Sequence, residues 1–332
     1  MKKKIFITGA SGFVGSHLVE AAQNLGLEVH AAVRSSSVTD QIAPFVDKFV
    51  YPNLGDVENL KHLFEEEQYH YIIHAAAMTK AKDEKQMNKV NVDYTEAILH
   101  AATTAQIPLE RVVYVSSLAA VGPIAFNSEK LIDESFPYRP VTVYGRSKRA
   151  SELMIREKFA DKPVSVFRPT AVYGPREKDI FILFDTMNKG LDPYIGRNPQ
   201  KLSFIYVKDL CDVLLQGCMV KQDALQFYNI SDGLIYSRYA MADIFKSTLK
   251  KRLFRIHVPL SLIRFVAQVS QRLYKNSSKT PVLYPERLGE LTAENWGCNI
   301  SHAVKNLGFN PQYDLERGLT ESLNWYKSHK WL

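Results

Sequence analysis

Cysteine and long apolar segments are both scarce in this chain. Its three cysteines, Cys211, Cys218 and Cys298, include no Cys-x-x-Cys pair, so we expect neither a disulfide framework nor a zinc site. Reduced thiols in a cytoplasmic protein are the simplest interpretation. No apolar run approaches the roughly 18 residues needed to span a bilayer. Only three apolar residues follow Met1-Lys2-Lys3-Lys4, so we expect no signal peptide.

Charge is modest, with a net charge of +7 over 332 residues. The densest basic cluster comprises Lys246, Lys250, Lys251, Arg252 and Arg255. Such a cluster can attract anionic ligands or nucleic acid, but no nucleic-acid-binding motif accompanies it. We therefore expect a solvated helix face and no nucleic-acid partner. We expect the nine histidines to serve packing, with no metal site. With 46% hydrophobic residues, the chain can bury the core of one large α/β unit or two unequal domains.

Three glycines near the start of the chain form the first functional motif. Gly9, Gly12 and Gly15 follow the apolar run Ile5-Phe6-Ile7 and precede a helical pattern from Ser16 to Asn24. A strand, a glycine-rich turn and a helix in this order are typical of a dinucleotide phosphate site. Glycines let the backbone approach the ligand, and the free N–H groups of the first helical turn suit a pyrophosphate. The alternative is a tight turn without a ligand. The expected contacts are Gly9, Ser11, Gly12, Phe13, Val14 and Gly15.

The end of the second predicted strand indicates which dinucleotide binds. An apolar segment from Glu28 to Val33 stops at Arg34-Ser35-Ser36-Ser37. Sites for NAD carry an acidic residue near this point for the ribose hydroxyls, whereas arginine and small hydroxyl residues accommodate the 2′-phosphate of NADP. Because Val33 and Arg34 stand where the acid would be, we predict NADP as the cofactor, with NAD as the alternative. Arg34 could instead only stack on the adenine or cap the strand.

Strands and helices alternate through the first half of the chain. Strands are predicted over 48–51, 69–74 and 111–116, with helices over 56–67 and 84–105. Such alternation implies right-handed crossovers and a parallel, doubly wound sheet. Asp56 could cap its helix, contact the cofactor, or do both. The small residues of Ala75-Ala76-Ala77 would let the backbone lie close to the dinucleotide.

A second constellation follows the fifth predicted strand. Ser117 ends that strand, and a later helix introduced by Val141-Thr142-Val143 carries Tyr144 and Lys148. The i, i+4 spacing places the ammonium beside the phenol, where a cation lowers the pKa of Tyr144 from its reference of about 10. Tyr144 can then act as general acid and base, while Ser117 holds the substrate oxygen. A tyrosine four residues before a lysine is common by chance, so the prediction depends on the accompanying glycine turn and serine.

These motifs resemble an extended short-chain dehydrogenase/reductase of the NAD(P)-dependent epimerase/dehydratase family, over nearly the whole chain. The matching segments are Gly9-x-x-Gly12-x-x-Gly15, Asp56, His74 to Ala77, Asn91, Ser116-Ser117, Tyr144-x-x-x-Lys148, Arg168 to Pro175 and Tyr206-Val207-Lys208-Asp209. The resemblance implies catalytic Ser117, Tyr144 and Lys148, with Lys148 also on the nicotinamide ribose. The further cofactor contacts we expect are Asp56, Val57, Ala75, Ala76, Ala77, Asn91, Tyr144, Lys148, Arg168 and Pro169.

The family also implies a fold, a domain division and an assembly. We expect an α/β, Rossmann-type doubly wound parallel sheet with a smaller, mostly C-terminal substrate-binding lobe. The dinucleotide-binding domain is expected over 1–172 with a return segment from about 204–232, and the lobe over 173–203 and 233–332. Helices starting near Glu84 and Tyr144 commonly pair across a dimer in this family, so we expect a homodimer.

Departures from the family pattern bear on the reaction. Sugar-nucleotide dehydratases have an Asp-Glu pair directly after the catalytic hydroxyl, whereas Leu118-Ala119 follow Ser117, and neither side chain can protonate a leaving hydroxyl. Nucleotide-sugar epimerases typically place an arginine on the diphosphate where this chain has Leu202, although Arg287 could serve as a second clamp. Similarities near the C-terminal end favour the branch that contains 3β-hydroxysteroid-dehydrogenase-like and dihydroflavonol-reductase-like enzymes.

The segment from Val258 to Tyr274 predicts an amphipathic helix. We expect its apolar face to pack against the C-terminal lobe as a pocket wall or lid. Contact with a membrane surface is the alternative, because basic amphipathic helices lie on anionic bilayers. The apolar positions are Leu260, Ile263, Phe265, Val266, Val269 and Leu273.

The leading hypothesis is an NADP(H)-preferring oxidoreductase that acts on a hydroxyl or carbonyl group of a fairly apolar small molecule. The first alternative is a nucleotide-sugar epimerase, which oxidises its substrate transiently with bound NAD. The second is a non-catalytic dinucleotide sensor. The intact set of Ser117, Tyr144 and Lys148 argues against the sensor, which would not need them.

Overall fold

A computed structural model describes residues 2–80, 83–273 and 285–332 of the chain. In these ranges the backbone forms thirteen strands and twelve α-helices. The strands are β1 (Lys4–Thr8), β2 (Glu28–Ala32), β3 (Lys48–Val50), β4 (Tyr71–His74), β5 (Arg111–Val115), β6 (Val164–Pro169), β7 (Ala171–Tyr173), β8 (Leu191–Ile195), β9 (Lys201–Leu202), β10 (Phe204–Tyr206), β11 (Gln226–Ile230), β12 (Tyr236–Ser237) and β13 (Phe254–Val258). The helices are α1 (Phe13–Asn24), α2 (Val57–Glu67), α3 (Glu84–Asn88), α4 (Tyr94–Thr104), α5 (Val143–Lys158), α6 (Phe181–Asn188), α7 (Val207–Met219), α8 (Ala240–Leu249), α9 (Leu260–Leu273), α10 (Pro285–Leu291), α11 (Ser301–Leu307) and α12 (Leu315–Ser328).

Seven of these strands form one parallel sheet in the order β3-β2-β1-β4-β5-β6-β11. The chain therefore builds the sheet outward from β1 in one direction, then returns to the other side of β1 with β4. This reversal between β1 and β4 is the switch point of a doubly wound sheet, where ligands bind beyond the carboxyl ends of the strands. The predicted Rossmann-type fold is confirmed.

Both faces of the sheet are covered by helices, which explains why most residues of its strands are buried. In β1, Ile5 and Ile7 belong to a buried cluster with residues of α1, α7 and α11. Phe6, on the opposite face, packs with residues of α2, α4 and α5. Because successive side chains of a strand point to opposite faces of the sheet, β1 contributes to two separate hydrophobic cores.

The predicted helix over 84–105 is interrupted rather than continuous. The structure has α3, a π-helical turn over Lys89–Asp93 and then α4. The turn carries Asn91, whose side chain is buried. Single π-helical turns inside α-helices are frequent at functional sites, and the sequence pattern did not predict this one.

Three short two-stranded ladders lie outside the main sheet, β7 with β10, β9 with β12 and β8 with β13, and a separate core packs beside them. Aromatic residues fill this core, among them Tyr173, Phe184, Phe245 and Tyr326. The strand β11 lies at the edge of the main sheet beside β6. The domain boundaries given above stay a prediction.

The predicted amphipathic helix forms as α9, although its last residue, Tyr274, lies outside the described residues. Our expectation for its packing is wrong. Of its described side chains only Ala267 is buried, while Phe265, Val266 and Val269 are exposed to solvent. No helix in the described ranges is long and apolar enough to cross a bilayer.

Candidate active site

The parallel sheet gathers the predicted site residues at one edge. The strands β1, β2, β4, β5 and β6 are neighbours and point the same way, so their carboxyl ends meet at that edge. Gly9 follows β1, Arg34 lies beyond β2, and Ala75 follows β4. Ser117 follows β5, and Pro169 ends β6. The fold therefore brings together residues that are up to 160 positions apart in sequence.

The glycine turn is packed so closely that side chains would not fit at two of its positions. Gly9 has a φ of 70°, and a Cβ there would lie 2.7 Å from the backbone nitrogen of Ala76. A Cβ on Gly15 would lie 2.0 Å from the carbonyl oxygen of Gly9. Ser11 and Gly12 are exposed, and Gly12, which directly precedes α1, provides no side-chain cap for the helix. The first N–H groups of α1 are thus presented at the surface, as a pyrophosphate requires.

Thr8 and His74 fix the backbone beside this turn. The Thr8 hydroxyl lies 2.7 Å from His74 Nδ1 and accepts a hydrogen bond from the Ala76 N–H at 3.1 Å. On its other side, His74 Nε2 lies 3.1 Å from the hydroxyl of Thr95. Burial, helped by the nearby Lys148 amino group, lowers the pKa of His74 to about 3, so the ring is neutral. Sequence reasoning did not find Thr8, because a threonine at a strand end is too common to be a signal.

The Asn91 side chain is used internally. Its Oδ1 accepts a hydrogen bond from the Met78 N–H at 2.7 Å, and its Nδ2 donates to the Met78 carbonyl oxygen and to Ser147 Oγ, both at 2.9 Å. Asn91 therefore ties the segment after Ala77 to α5. A direct contact with the cofactor, which we expected, stays a prediction; the geometry shows a positioning residue.

The two residues expected near the adenosine lie at the surface. Arg34 is exposed beyond β2, where its backbone N–H donates to Ser37 Oγ at 3.2 Å. Asp56 is exposed and accepts a hydrogen bond from the Asn59 N–H at 3.1 Å, which caps α2. The predicted cap is confirmed. The cofactor contacts of Arg34, Asp56 and Val57 stay predictions.

Ser117 and Tyr144 are brought together by two short elements. Ser117 precedes a 3₁₀ turn over Leu118–Ala120, and its Oγ accepts a hydrogen bond from the Ala119 N–H at 3.1 Å. The phenol of Tyr144, in the first turn of α5, lies near enough to the Ser117 hydroxyl for that hydroxyl to lower its pKa. A Cβ on Gly145 would lie 2.4 Å from the Ala119 carbonyl oxygen, so this glycine lets α5 approach the turn closely.

The electrostatics of Tyr144 differ from our expectation. Burial raises the pKa of Tyr144 above its usual value, and this outweighs the hydrogen bond from Ser117, which lowers it; the Glu290 carboxylate adds to the rise. The predicted lowering of the Tyr144 pKa by Lys148 is therefore wrong. Tyr144 is a protonated phenol at neutral pH, suited to donate a proton.

Lys148 is almost completely buried beneath this pair. Its Nζ donates to the Val115 carbonyl oxygen at 2.7 Å and to Tyr114 Oη at 3.2 Å, and it lies 6.0 Å from the centre of the Tyr144 ring. Burial lowers the pKa of Lys148 to about 7, against a smaller rise from Glu152. The amino group thus titrates in the physiological range.

A cavity of about 500 Å³ extends from Ser117 into the C-terminal lobe. Pro169, Thr170 and Ala171 form its wall on the side of the sheet. Most of its lining is apolar, and charge enters through Asp179, Arg238, Arg287 and Glu290. Its apolar lining includes Leu118, Ile180, Leu183, Met187, Leu202, Phe204 and Met241. The sequence pattern could not predict this set, because it is drawn from segments that lie far apart in the chain.

Comparison with known proteins identifies the family. Residues 5–231 match the model of the NAD dependent epimerase/dehydratase family. The chain belongs to this family. As a member of it, the chain is an enzyme of the extended short-chain dehydrogenase/reductase superfamily, and the predicted resemblance is confirmed.

Similar members of the family differ in the reactions their names describe. A ceramide reductase of Caulobacter vibrioides is 27% identical to this chain over 333 residues, covering 99% of this chain and 96% of that protein. A dTDP-D-glucose 4,6-dehydratase of Mus musculus is 25% identical, covering 99% and 90%. The solved UDP-glucose 4-epimerase of Thermus thermophilus, in complex with NAD, shares the fold with a TM-score of 0.76 at 20% identity, covering 98% and 99%. The family and fold are thus shown, whereas the reaction depends on the site.

A buried ionic cluster in this family member was not predicted. Arg168 donates to both carboxylate oxygens of Glu152, to Oε2 at 2.6 Å and to Oε1 at 3.1 Å, and to Tyr138 Oη at 2.8 Å. Ser116 Oγ donates to the same carboxylate at 2.5 Å. Both charged side chains are almost fully buried. The only sequence signal was the position of Glu152 one turn after Lys148, which is too common on helices to be informative.

This cluster corrects one expected cofactor contact. The Arg168 guanidinium is fully buried and bound to Glu152, so its side chain is not available to the dinucleotide. Pro169 lines the cavity next to Ser117 and remains well placed. A contact between the cofactor and Pro169 stays a prediction.

Proposed function

We propose that this enzyme is an NADP(H)-preferring oxidoreductase that interconverts a ketone and a secondary alcohol on a largely apolar small molecule. The observation that carries the proposal is the apolar cavity that begins at Ser117. Leu118 and Ala119 line it directly after the hydroxyl, and Leu202 lines it where an epimerase typically has an arginine. The similarity to a ceramide reductase supports the same reaction class.

The residues of the site fit the proposed dinucleotide. The close packing at Gly9 and Gly15 and the uncapped start of α1 leave backbone N–H groups for a pyrophosphate. Arg34 is exposed beyond β2, and this supports our proposal that its guanidinium binds a 2′-phosphate. When bound, the nicotinamide would donate or accept the hydride. The residues of this chain would orient the substrate and transfer the proton.

In the proposed mechanism, Ser117 and Tyr144 hold the substrate oxygen. Both groups are hydrogen-bond donors in reach of each other, so a carbonyl oxygen can accept from both at once. Because burial keeps Tyr144 protonated, its phenol donates the proton that a ketone needs on reduction. Lys148, 6.0 Å from the ring, stabilises the phenolate that is left.

A series of ketones with lengthening apolar chains tests this function. We expect NADPH oxidation with kcat/KM rising about fourfold per methylene until the cavity is filled, since each buried methylene contributes about 0.8 kcal/mol. Replacing Leu202 by Arg should abolish this gain, because a charge in the wall must be desolvated. A flat series, or equal turnover by Leu202→Arg, would refute the apolar substrate.

A nucleotide-sugar epimerase is the second candidate, favoured by one observation. Arg287 lines the same cavity and could contact a diphosphate. Cofactor that co-purifies tightly, together with sugar-nucleotide interconversion and no net change in nicotinamide absorbance, would establish this alternative over the reductase.

We further propose a cytoplasmic homodimer. All three cysteines are buried and unpaired, as suits a reducing compartment. Family members commonly pair through the helices that correspond to α3, α4 and α5, and α5 exposes Leu153. Light scattering should give the dimer mass, and Leu153→Glu should lower it; a wild-type monomer would contradict the proposal.

A further inference from the structure

The helix α9 turns an apolar stripe toward solvent. The side chains that face the protein are Leu260, Ile263, Ala267 and Ser270, all buried or half-buried. The stripe is formed by Leu262, Phe265, Val266, Val269 and Leu273, spaced as one face of a helix. Phe265 is 63% exposed and Leu273 75%. Single exposed apolar residues are ordinary, but five on one helical face mark an interaction surface.

The polar side of α9 is basic. Helical spacing places Arg272 beside the stripe and Arg264 farther round the polar face, and the sequence of α9 contains no acidic residue. Neither arginine forms an ion pair with the residues that the structure describes. The chain enters α9 from β13, which follows the exposed Lys250 and Arg252. The surface around the stripe therefore favours an anionic partner.

We propose that α9 docks this enzyme onto an anionic phospholipid bilayer. The apolar stripe enters the boundary between head groups and acyl chains, while Arg272, which lies beside the stripe, contacts the phosphates. A second copy of the chain fits less well, because it would bring a helix with the same arginines and no carboxylate to pair with them. The docking does not depend on which reaction the enzyme catalyses.

The helix α9 also lies close to the wall of the substrate cavity. The helix packs against α10, and α10 contributes Arg287 and Leu291 to the cavity wall. Leu291 lines the cavity and is itself exposed. A bilayer held at α9 therefore lies next to the helix that bounds the substrate cavity, so an apolar substrate dissolved in the membrane would have a short path to it.

Vesicle co-sedimentation of the full-length protein tests the proposal. We expect wild type to pellet with vesicles that contain phosphatidylglycerol, to pellet less with pure phosphatidylcholine, and to be released by salt. The double variant Phe265→Glu/Val269→Glu should bind the anionic vesicles at least about tenfold more weakly. Val304→Glu, which places the same charge at an exposed apolar position on α11, should bind like wild type.

Two further measurements make the result decisive. Thermal unfolding should show that both variants keep the wild-type fold, since none of the changed side chains is buried. Light scattering without lipid should give the same mass for all three proteins. Absence of wild-type binding, equal binding by the double variant, or a mass lowered only in the double variant would overturn the proposal, the last by showing contact between two copies.

Discussion

The amino group of Lys148 lies in the protein interior, where burying a positive charge raises the free energy of the folded state. It is almost fully buried, and burial lowers its pKa to about 7. Its polar contacts are the Val115 carbonyl oxygen and the Tyr114 hydroxyl, with Glu152 acting only at longer range. The residue that the mechanism uses to stabilise a phenolate therefore weakens the folded protein when no ligand is bound, as functional groups often do.

Replacing Lys148 by Met should raise stability while abolishing activity. Below about pH 7 the wild-type amine is protonated in both states, so the folded state bears the full cost of burying the charge. As pH rises from 7 toward 10.5, the folded protein loses the proton first and wild-type stability rises. We expect a gain of roughly 1–4 kcal/mol in urea unfolding without cofactor, larger at about pH 6 than at about pH 9. A variant less stable at both pH values would contradict this account.

Arg34 should set the preference between the two dinucleotides. A charge-assisted contact with the 2′-phosphate is worth about 1.5–3 kcal/mol, so Arg34→Ala should weaken NADPH binding roughly 10- to 100-fold. NADH lacks that phosphate, and its affinity should stay the same, which serves as the internal control. Calorimetric titration measures both. Tighter binding of NADH than NADPH by wild type would reject the NADP preference.

At the scale of elements, α5 is the part that the site depends on. It carries Tyr144 and Lys148 at its start and is anchored to the sheet further along by Glu152, which binds Arg168 of β6 and Ser116 after β5. Because Gly145 has no side chain, the first turn of α5 can pack closely against the 3₁₀ turn after Ser117. Position and orientation of α5 are thus fixed at two points.

Removing the anchor should destabilise the enzyme strongly. Glu152→Ala leaves the buried Arg168 charge without its carboxylate, which typically costs about 3–5 kcal/mol. Glu157→Ala, which removes an exposed carboxylate from the same helix, should change stability by less than about 0.5 kcal/mol. Urea unfolding of both variants checks this, and equal effects would contradict the anchoring role.

A methyl group at Gly145 should separate the catalytic pair. Alanine normally stabilises a helix by up to about 1 kcal/mol over glycine, but here its Cβ would meet the Ala119 carbonyl oxygen at 2.4 Å. We expect Gly145→Ala to lose about 1–3 kcal/mol of stability and to lower kcat at least about tenfold. A more stable variant with full kcat would show that the close approach does not matter.

The sequence predicted what depends on local pattern and missed what depends on packing between distant segments. The glycine turn, Ser117 and the Tyr144/Lys148 spacing are each visible within a few residues, and the alternation of elements gave the sheet. Glu152, Thr8 and the cavity lining come from segments far apart in the chain. The α9 packing failed for a different reason, because an apolar helical face predicts burial without stating whether protein or lipid provides it.

At the scale of the whole molecule, the edge of the sheet and the C-terminal lobe contribute different parts of the site. The edge holds the small, polar elements that suit a dinucleotide, and the lobe supplies most of the apolar wall around Ser117. This division explains how one fold accommodates relatives named as a reductase, a dehydratase and an epimerase. We propose that Ser117 and Tyr144, where the two parts meet, carry the reaction of this chain.

Net oxidation of NADPH in the presence of an apolar ketone, followed for wild type and Tyr144→Phe, tests the central claim most directly. The account predicts stoichiometric conversion of the ketone to a secondary alcohol by wild type, and a kcat reduced about 10²- to 10⁴-fold in the variant, which binds NADPH as tightly as wild type. Full turnover by Tyr144→Phe, or wild type that interconverts a nucleotide sugar with no net consumption of NADPH and acts on no ketone, would contradict it.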